Sequence, residues 1–400
     1  MQPPLSRRDF VRRASLTLAA AGAARAQTTA PAVDPPPLPM NPLGRTGVKV
    51  TRLGMGASFP EYGPRILRFG YQLGVRYFDN AEGYLGGKTE TLFGEFVTRL
   101  PRREEVFIVS KTHEHKSPEA FYRHALSSRE KLGVETIDLY MAHGISNPDL
   151  PLDKGGEWKA VKERLVREKV IRFMGFSTHA PMPQRIACLV NAAKGGWVDA
   201  LMVACDPGLI RSDDAFNRAL DTVHKAGIGL VAMKTSRGLG RAAEQPEAAR
   251  DAFQKLGVGP HVAMQIGLMQ DGRFACICSE MVNRKQIEEN TQAARNFRPL
   301  TPEQQKMLYE GIEGLSRATC PGCTGACQQA AGTQTDFCSI TRFLSYFEQD
   351  GKRARARELF AQLPPEARDW TGADLTAASR ACPAHLDFER LLERAARLLA

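Results

Sequence analysis

The 400-residue chain is 43% hydrophobic, 24% charged and 8% aromatic, with a formal net charge of +10. That balance describes a globular chain of one large domain or two medium ones and excludes a disordered, collagen-like or coiled-coil protein. No run of about 18 uncharged apolar residues occurs, which argues against a stable membrane span; setting aside five arginines and one aspartate in residues 1–26 leaves +6, too small and scattered an excess for nucleic-acid binding.

In chain order, Ser6-Arg7-Arg8-Asp9-Phe10-Val11 places paired arginines ahead of a polar and a large apolar residue. Leu16 to Ala24 is a short alanine-rich apolar core, and Ala24-Arg25-Ala26 a small-x-small cleavage site. The pattern predicts a twin-arginine export signal over residues 1–26, handling by the twin-arginine translocase and a periplasmic destination. Residues 27–40 hold prolines at 31, 35, 36, 37 and 39 and are expected to form an extended linker, with ordered chain from near Pro42. Leu43 to Val50 has the turn and alternation of a small hairpin that would plug the bottom of the domain after it.

From Leu53 onward, short apolar runs alternate with segments of helical period. The predicted strands are 53–56, 76–79, 106–111, 137–143, 171–177, 200–205, 229–234 and 274–279. The predicted helices are 64–73, 88–99, 118–132, 157–168, 182–194, 214–226, 245–256 and 284–295. Eight such pairs over about 250 residues fit an α/β architecture, a (β/α)8 TIM barrel over residues 41–298, better than an open doubly wound sheet. The open-sheet phosphate fingerprint is missing too, because Gly54-Met55-Gly56 has no third glycine at the required spacing.

Chemistry in such a barrel gathers at the carboxyl ends of its strands. There the second strand ends in Asp79 with Tyr84 in the next loop, the third in Lys111 and the fourth in His143. An acid, a phenol, an amine and an imidazole at one mouth suit proton donation to a carbonyl. The ammonium would lower the phenol's pKa, the carboxylate would hold the ammonium, and the imidazole would fix the substrate oxygen. His113, His115, His179 and His385 are weaker signals, better read as loop residues or substrate contacts than as metal ligands.

These positions and their surroundings resemble the aldo-keto reductase family. Pro42-Leu43-Gly44-Arg45-Thr46-Gly47 with Leu53-Gly54-Met55-Gly56 is similar to its opening, and Gly74-Val75-Arg76-Tyr77-Phe78-Asp79-Asn80-Ala81, with Tyr84, Gly87, Glu90 and Gly94, to its strand-two signature. Ile137 to His143 and Arg172 to Ser177 follow in order. The resemblance implies a (β/α)8 barrel, a nicotinamide cofactor (NAD or NADP) laid across the strand ends, reversible hydride transfer with an aldehyde or ketone, and Tyr84 as general acid with Asp79, Lys111 and His143 as partners. It places Ser177, Thr178, Met202, Met233 and Lys234 at the nicotinamide end and Asn283, Gln286, Glu289 and Asn290 at the adenine end. The family's usual amide-binding residues are altered in this chain. Its 2′-phosphate positions fall on Glu280 and Gln286, where a carboxylate would repel the phosphate unless Arg284 and Lys285 turn inward.

Residues 299–400 carry Cys320-Pro321-Gly322-Cys323-Thr324-Gly325-Ala326-Cys327, then Cys338 and Cys382-Pro383. This mostly helical stretch resembles the ferredoxin-like extension of one branch of the family, with one extra residue in its first cysteine run and Gly372, Leu375 and Ala378 in place of three cysteines of the second. The resemblance implies one [4Fe–4S] cluster on Cys320, Cys323, Cys327 and Cys382, with Cys338 as an orphan or alternative ligand. Two disulfides in an oxidising compartment and a structural zinc site compete with the cluster. Cys188, Cys205, Cys276 and Cys278 lie on apolar elements and read as small hydrophobes. Export removes the chain from free cytoplasmic nucleotide, so an enzyme holding its nicotinamide tightly competes with a noncatalytic binding or assembly barrel and with an iron–sulfur redox partner.

Overall fold

The computed structural model describes residues 36–56, 63–236, 239, 245–315, 320, 322–323, 325–348, 353–382 and 384–400. The export segment 1–26, the linker up to residue 35, and Pro383 lie outside the described residues.

Strands β1 (Met40–Pro42) and β2 (Lys49–Thr51) pair antiparallel, Met40 opposite Thr51, around a 3-10 turn at Gly44–Thr46. The expected hairpin is present, with its strands flanking residues 43–48. Its Leu43 and Val50 are buried among Tyr77, Leu139 and Val231 at the barrel floor, and Arg45 Nη1 donates to Ala226 O at 3.1 Å. Packed chain begins earlier than the linker reading allows. Leu38 is 1% exposed and its N–H donates to Gly74 O at 2.8 Å, because burying a leucine side chain favours docking over an extended tether.

The body then runs β3 (Leu53–Gly56), α1 (Gly63–Gln72), β4 (Tyr77–Asp79), α2 (Thr89–Val97), β5 (Phe107–Thr112), α3 (Pro118–Leu132), β6 (Ile137–Ala142), α4 (Asp149–Leu152), α5 (Glu157–Arg167) and β7 (Ile171–Thr178). It continues α6 (Met182–Gly195), β8 (Ala200–Ala204), α7 (Pro207–Ser212), α8 (Asp214–Lys225), β9 (Gly229–Met233), α9 (Glu247–Lys255), α10 (Pro260–Met269), β10 (Phe274–Glu280) and α11 (Arg284–Asn296). Strands β3 to β10 pair in sequence, all parallel, and β10 closes on β3. Capping chemistry explains clean ends: Ser117 Oγ accepts from Ala120 N, Pro118 opens α3, and Gly133 ends it at φ 62°. Helices α4 and α7 are too short to give a period. Helix α10 sits in an apolar run whose only start signal is Gly259-Pro260.

Period-two alternation sorts the strands into an inner and an outer layer. Tyr77, Val109, Leu139, Met141, Met202 and Cys276 fill the lumen, while Phe78, Ile108, Tyr140, Phe176 and Leu201 pack outward against the helices. Continuing the inner parity by one step reaches Asp79, Lys111 and His143. The same rule that packs the core therefore aims all three into the upper mouth.

Helix α12 (Pro302–Glu313) starts with a reciprocal capping box between Thr301 and Gln304. Its Leu308 and Ile312 are buried with Phe253 of α9 and Met264 of α10. The barrel's outer layer thus extends to residue 313, past the expected boundary at 298, because these apolar side chains face the barrel. Beyond it, α13 (Ala326–Ala331), α14 (Phe337–Glu348), α15 (Arg353–Ala361), α16 (Leu375–Ala381) and α17 (Phe388–Leu399) enclose a separate cluster with Phe337, Leu344, Phe388 and Leu392 at its centre.

Gly175 of β7 lies so close to β8 that a Cβ there would sit 1.8 Å from Ala200 O. A backbone atom cannot rotate away, so Gly175→Ala will destabilise the barrel by about 3 kcal/mol or more, the upper end for overpacking. Urea unfolding checks this; an unchanged midpoint would contradict the pairing of β7 with β8 at this register.

Candidate active site

Lys111 is the centre of the mouth. It is 1% exposed, its Nζ is 2.7 Å from Asp79 Oδ2 and it donates to Asn80 O at 2.6 Å. Two adjacent strands supply the pair: Asp79 stands opposite Val109 in the β4–β5 register, two residues before Lys111, so the lysine reaches back to it. Burial raises the Asp79 carboxyl above its usual value, and Lys111 opposes that rise. Burial would lower the Lys111 ammonium, but Asp79 and then Tyr84 outweigh it, so it ends above its ordinary value and stays charged.

Tyr84 begins a tight 3-10 stretch, Tyr84–Gly87, in which Leu85 takes a left-handed φ of 52°. That turn brings the Tyr84 ring centroid to 5.3 Å from Lys111 Nζ and to 5.5 Å, edge on, from the His143 ring. The four residues predicted from sequence therefore meet. The electrostatics differ from the expectation in one respect. Burial pushes the Tyr84 phenol up to about 12, outweighing the lowering by Lys111, and Asp79 adds a smaller rise. The phenol is consequently a held proton rather than a partly ionised group.

Burial, followed by Lys111, His113, His179 and Lys234, drives His143 far below its ordinary pKa, so its imidazole is neutral. Its Nδ1 is buried without a hydrogen-bond partner.

The positions expected to hold a nucleotide are spread around the same rim, but several are already engaged. Ser177 shares the inner parity of β7, and its Oγ accepts from Gly144 N at 2.9 Å. Thr178 falls on the outer parity, and its Oγ1 donates to Ile145 O at 2.8 Å. Met202 is buried in the lumen, Met233 is partly buried at the end of β9, and Lys234 follows it with a left-handed φ of 56°.

At the other end Asn283 caps α11 by accepting from Gln286 N at 3.0 Å, while Gln286 Oε1 accepts from Val282 N at 2.9 Å. Glu289 pairs with the exposed Lys285 at 3.8 Å, and Arg284 lies over the Phe69 ring at 4.6 Å. Asn290 is buried and donates to Ser279 Oγ at 3.3 Å. Gln265 of α10 donates to that same oxygen at 3.3 Å and leaves its Oε1 buried and unpartnered. Gln265 escapes sequence reasoning because α10 does. Asn80, whose carbonyl holds Lys111 and whose amide is buried without partners, is marked in the sequence only as the neighbour of Asp79.

The tail thiols converge. Cys320 is hydrogen-bonded to Cys338, which with burial raises its pKa well above the ordinary thiol value. Cys323 is raised by burial and by Cys382 and Cys338, and Cys327 is pushed up to about 11 by burial, Cys323 and Cys382. Cys338 is thus a member of the group rather than an orphan. Even so, among the described residues no three His, Cys, Asp or Glu side chains are set to hold one metal ion. A Cβ at Gly322 would lie 3.3 Å from Cys338 Sγ and 3.5 Å from Nη2 of Arg185, which itself donates to Ala180 O and Ala204 O. The first cysteine loop therefore lies beside the carboxyl ends of β7 and β8.

A sequence model described as the Aldo/keto reductase family matches residues 51–313. The chain is similar to aldo-keto reductase str7 of Strobilurus tenacellus, 24% identical over 224 residues, covering 51% of this chain and 63% of the relative. It is also similar to an NADH-specific methylglyoxal reductase of Escherichia coli, 27% identical over 167 residues, covering 34% and 50%. The chain thus spans between half and just under two thirds of these curated relatives. In fold it is similar to the holo form of an aldo-keto reductase of Bacillus halodurans, with 21% identity, a TM-score of 0.56 and coverage of 68% and 96%. A thermostable aldo-keto reductase crystallised with the inhibitor epalrestat gives 24%, 0.56 and coverage of 68% and 100%.

Removing one partner of the Lys111–Asp79 pair strands a buried charge. Lys111→Met will cost about 3–5 kcal/mol of stability, and the double variant with Asp79→Asn will regain most of it. Chemical denaturation of the two single variants and the double variant checks the coupling, and additive losses would contradict it.

Proposed function

The chain belongs to the aldo/keto reductase family, and on that premise we propose an oxidoreductase that reduces a small aldehyde or ketone, with Tyr84 as the proton donor. The observation that carries this reading is the buried Lys111–Asp79 pair set beside the Tyr84 ring, with a neutral imidazole edge on to that ring. The donor set around the rim fits a nicotinamide dinucleotide: Ser177 lies on the inner parity, and Gln265, Ser279 and Asn290 form a linked polar group with one carbonyl left over. Ser177 would hold the nicotinamide end and the Gln265–Ser279–Asn290 group the adenine end. Thr178, Asn283 and Gln286 are engaged with their own backbone, which supports a smaller role for them. When bound, the nicotinamide supplies the hydride.

The protein's own part is to place the carbonyl and move a proton. Burial keeps the Tyr84 Oη protonated at neutral pH. As the carbonyl oxygen gains charge, Tyr84 gives up that proton and the Lys111 ammonium stabilises the phenolate. Asp79 and Asn80 O hold Lys111 in place. With Nδ1 of His143 enclosed, the ring proton belongs on Nε2, from which it hydrogen-bonds the substrate oxygen. Arg284 is stacked on Phe69 and Lys285 is paired with Glu289, so neither is turned toward a 2′-phosphate, which supports NADH over NADPH. Methylglyoxal, named for one relative, is a suitable trial substrate. Tyr84→Phe is expected to lower kcat/KM for its NADH-dependent reduction by about 10²–10⁴-fold without changing NADH affinity. An unchanged rate would remove Tyr84 from the chemistry.

We further propose export of the chain by the twin-arginine route and a thiolate-bound group in the tail, a [4Fe–4S] cluster drawn from Cys320, Cys323, Cys327, Cys338 and Cys382. Support comes from the Arg7-Arg8 motif and from the convergence of the five thiols. The thiols as they stand do not form a set around one metal position, so no step of the reduction passes through them. Substituting Lys for Arg7 and Arg8 together will retain the chain in the cytoplasm. Anaerobically prepared exported protein will carry about four irons and as much acid-labile sulfide per chain. Export of the variant would refute the signal, and iron-free protein the cluster.

A further inference from the structure

A cavity of about 510 Å³ opens at the end of the barrel opposite Lys111 and Asp79. Its wall takes in Arg52, which precedes β3, Ile228, which precedes β9, and Phe274, which starts β10, so it lies at the amino ends of the strands. Catalytic residues of such barrels come from the carboxyl ends, which leaves this cavity without a part in the reduction. Met269 and Phe274 are buried and give it an apolar side. Arg45 of the hairpin, with Arg273, lines it as well.

The arginines differ in what they already hold. The Arg52 backbone is fixed on both sides, its N–H donating to Pro39 O and its carbonyl accepting from Ile277 N, each at 2.8 Å. Its guanidinium lies over the Phe297 ring at 4.5 Å, so one face is covered while the N–H edge stays available. Among the described residues that edge meets no acceptor. Burial, followed by the neighbouring Arg298 guanidinium, lowers the Arg52 pKa, and among the described residues no carboxylate pairs with either cation. Arg45 gives N–H donors to Ala226 O at 3.1 Å and Val198 O at 3.4 Å and has others left over. Arg273, in contrast, is matched by Asp271 at 2.6 Å and Asp221 at 2.7 Å. Asp271 is the carboxylate on the cavity wall, and both its oxygens are taken by Arg273. The wall therefore carries unmatched guanidinium donors and no carboxylate free to answer them.

We propose that this cavity binds a small organic phosphate monoester, its phosphoryl group on the edge of Arg52 and its carbon body against Met269 and Phe274. The two oxygens of a carboxylate are used up by one guanidinium fork, whereas a phosphoryl group keeps a third oxygen and a second charge for Arg45. The planar fork of arginine suits such oxygens, and the fixed backbone of Arg52 means that little of the site has to be ordered on binding. The site is separate from the reaction mouth, so it stands whether or not the carbonyl-reductase reading does.

Phenyl phosphate tests this by calorimetric titration of the full chain, with and without NADH. It is expected to bind with a Kd of about 1 mM or lower, unchanged by NADH. Inorganic phosphate, which leaves the apolar side uncovered, will bind at least about threefold more weakly, and benzoate at least about tenfold more weakly. Arg52→Gln will weaken phenyl phosphate at least about tenfold, and Arg52→Lys, which keeps the charge and loses the fork, at least about threefold. Both variants will retain the far-ultraviolet circular dichroism of the parent. No saturable binding, affinity unchanged in both variants, or displacement by NADH, which would put the phosphate at the mouth, overturns the proposal. Benzoate binding as tightly as phenyl phosphate overturns the choice of a phosphate ester.

Discussion

The buried contact between Lys111 and Asp79 governs the site. Taking both charges out of water costs several kcal/mol each, and such a pair often stabilises a fold no better than two apolar residues would. It is tolerated because the ammonium meets both a carboxylate and the Asn80 carbonyl within hydrogen-bond reach. Its position also follows from the barrel itself. Strand alternation gives Asp79 and Lys111 the same inward parity as the apolar lumen below them, and strand closure leaves those side chains only the mouth to occupy.

The other groups take their protonation states from that pair and from burial. Burial outweighs the lowering of the Tyr84 phenol by Lys111, Asp79 adds to the rise, and the phenol keeps its proton. His143, edge on to the Tyr84 ring, is held neutral by burial and by the same ammonium. Two adjacent aromatic groups are thus held uncharged by one environment, the phenol with a proton to give and the imidazole ready to hydrogen-bond. His113 and His115, anchored on the His143 carbonyl, fix the loop that carries this imidazole and extend the polar rim outward.

The boundary between barrel and tail follows the burial of apolar side chains rather than any change in composition. Helix α12 reads as part of the tail by position, yet Leu308 and Ile312 close the barrel's outer layer over Phe253 and Met264. The tail proper has a core of its own, and its cysteine loop reaches the barrel through Arg185, whose guanidinium also binds carbonyls at the ends of β7 and β8. The thiols are therefore placed on the same side of the barrel as Lys111 and Asp79.

The barrel is legible in the sequence because its signals are local. Alternating apolar residues, caps such as Ser117 with Pro118, and the glycine turns act within a few residues, and the order of eight such units leaves few topologies to choose from. Asp79, Lys111 and His143 are legible for the same reason, since each ends a readable strand. What the sequence does not decide depends on residues far apart in the chain. Whether Lys111 lowers the Tyr84 phenol depends on how deeply the closed barrel buries the ring, and whether Asn283 and Gln286 are free for a ligand depends on a helix end that they turn out to cap. Gln265 can join Ser279 and Asn290 only once the sheet has closed. Sequence determines which side chain faces inward, because that is set by backbone period, whereas distance and field between inward-facing groups belong to the closed barrel.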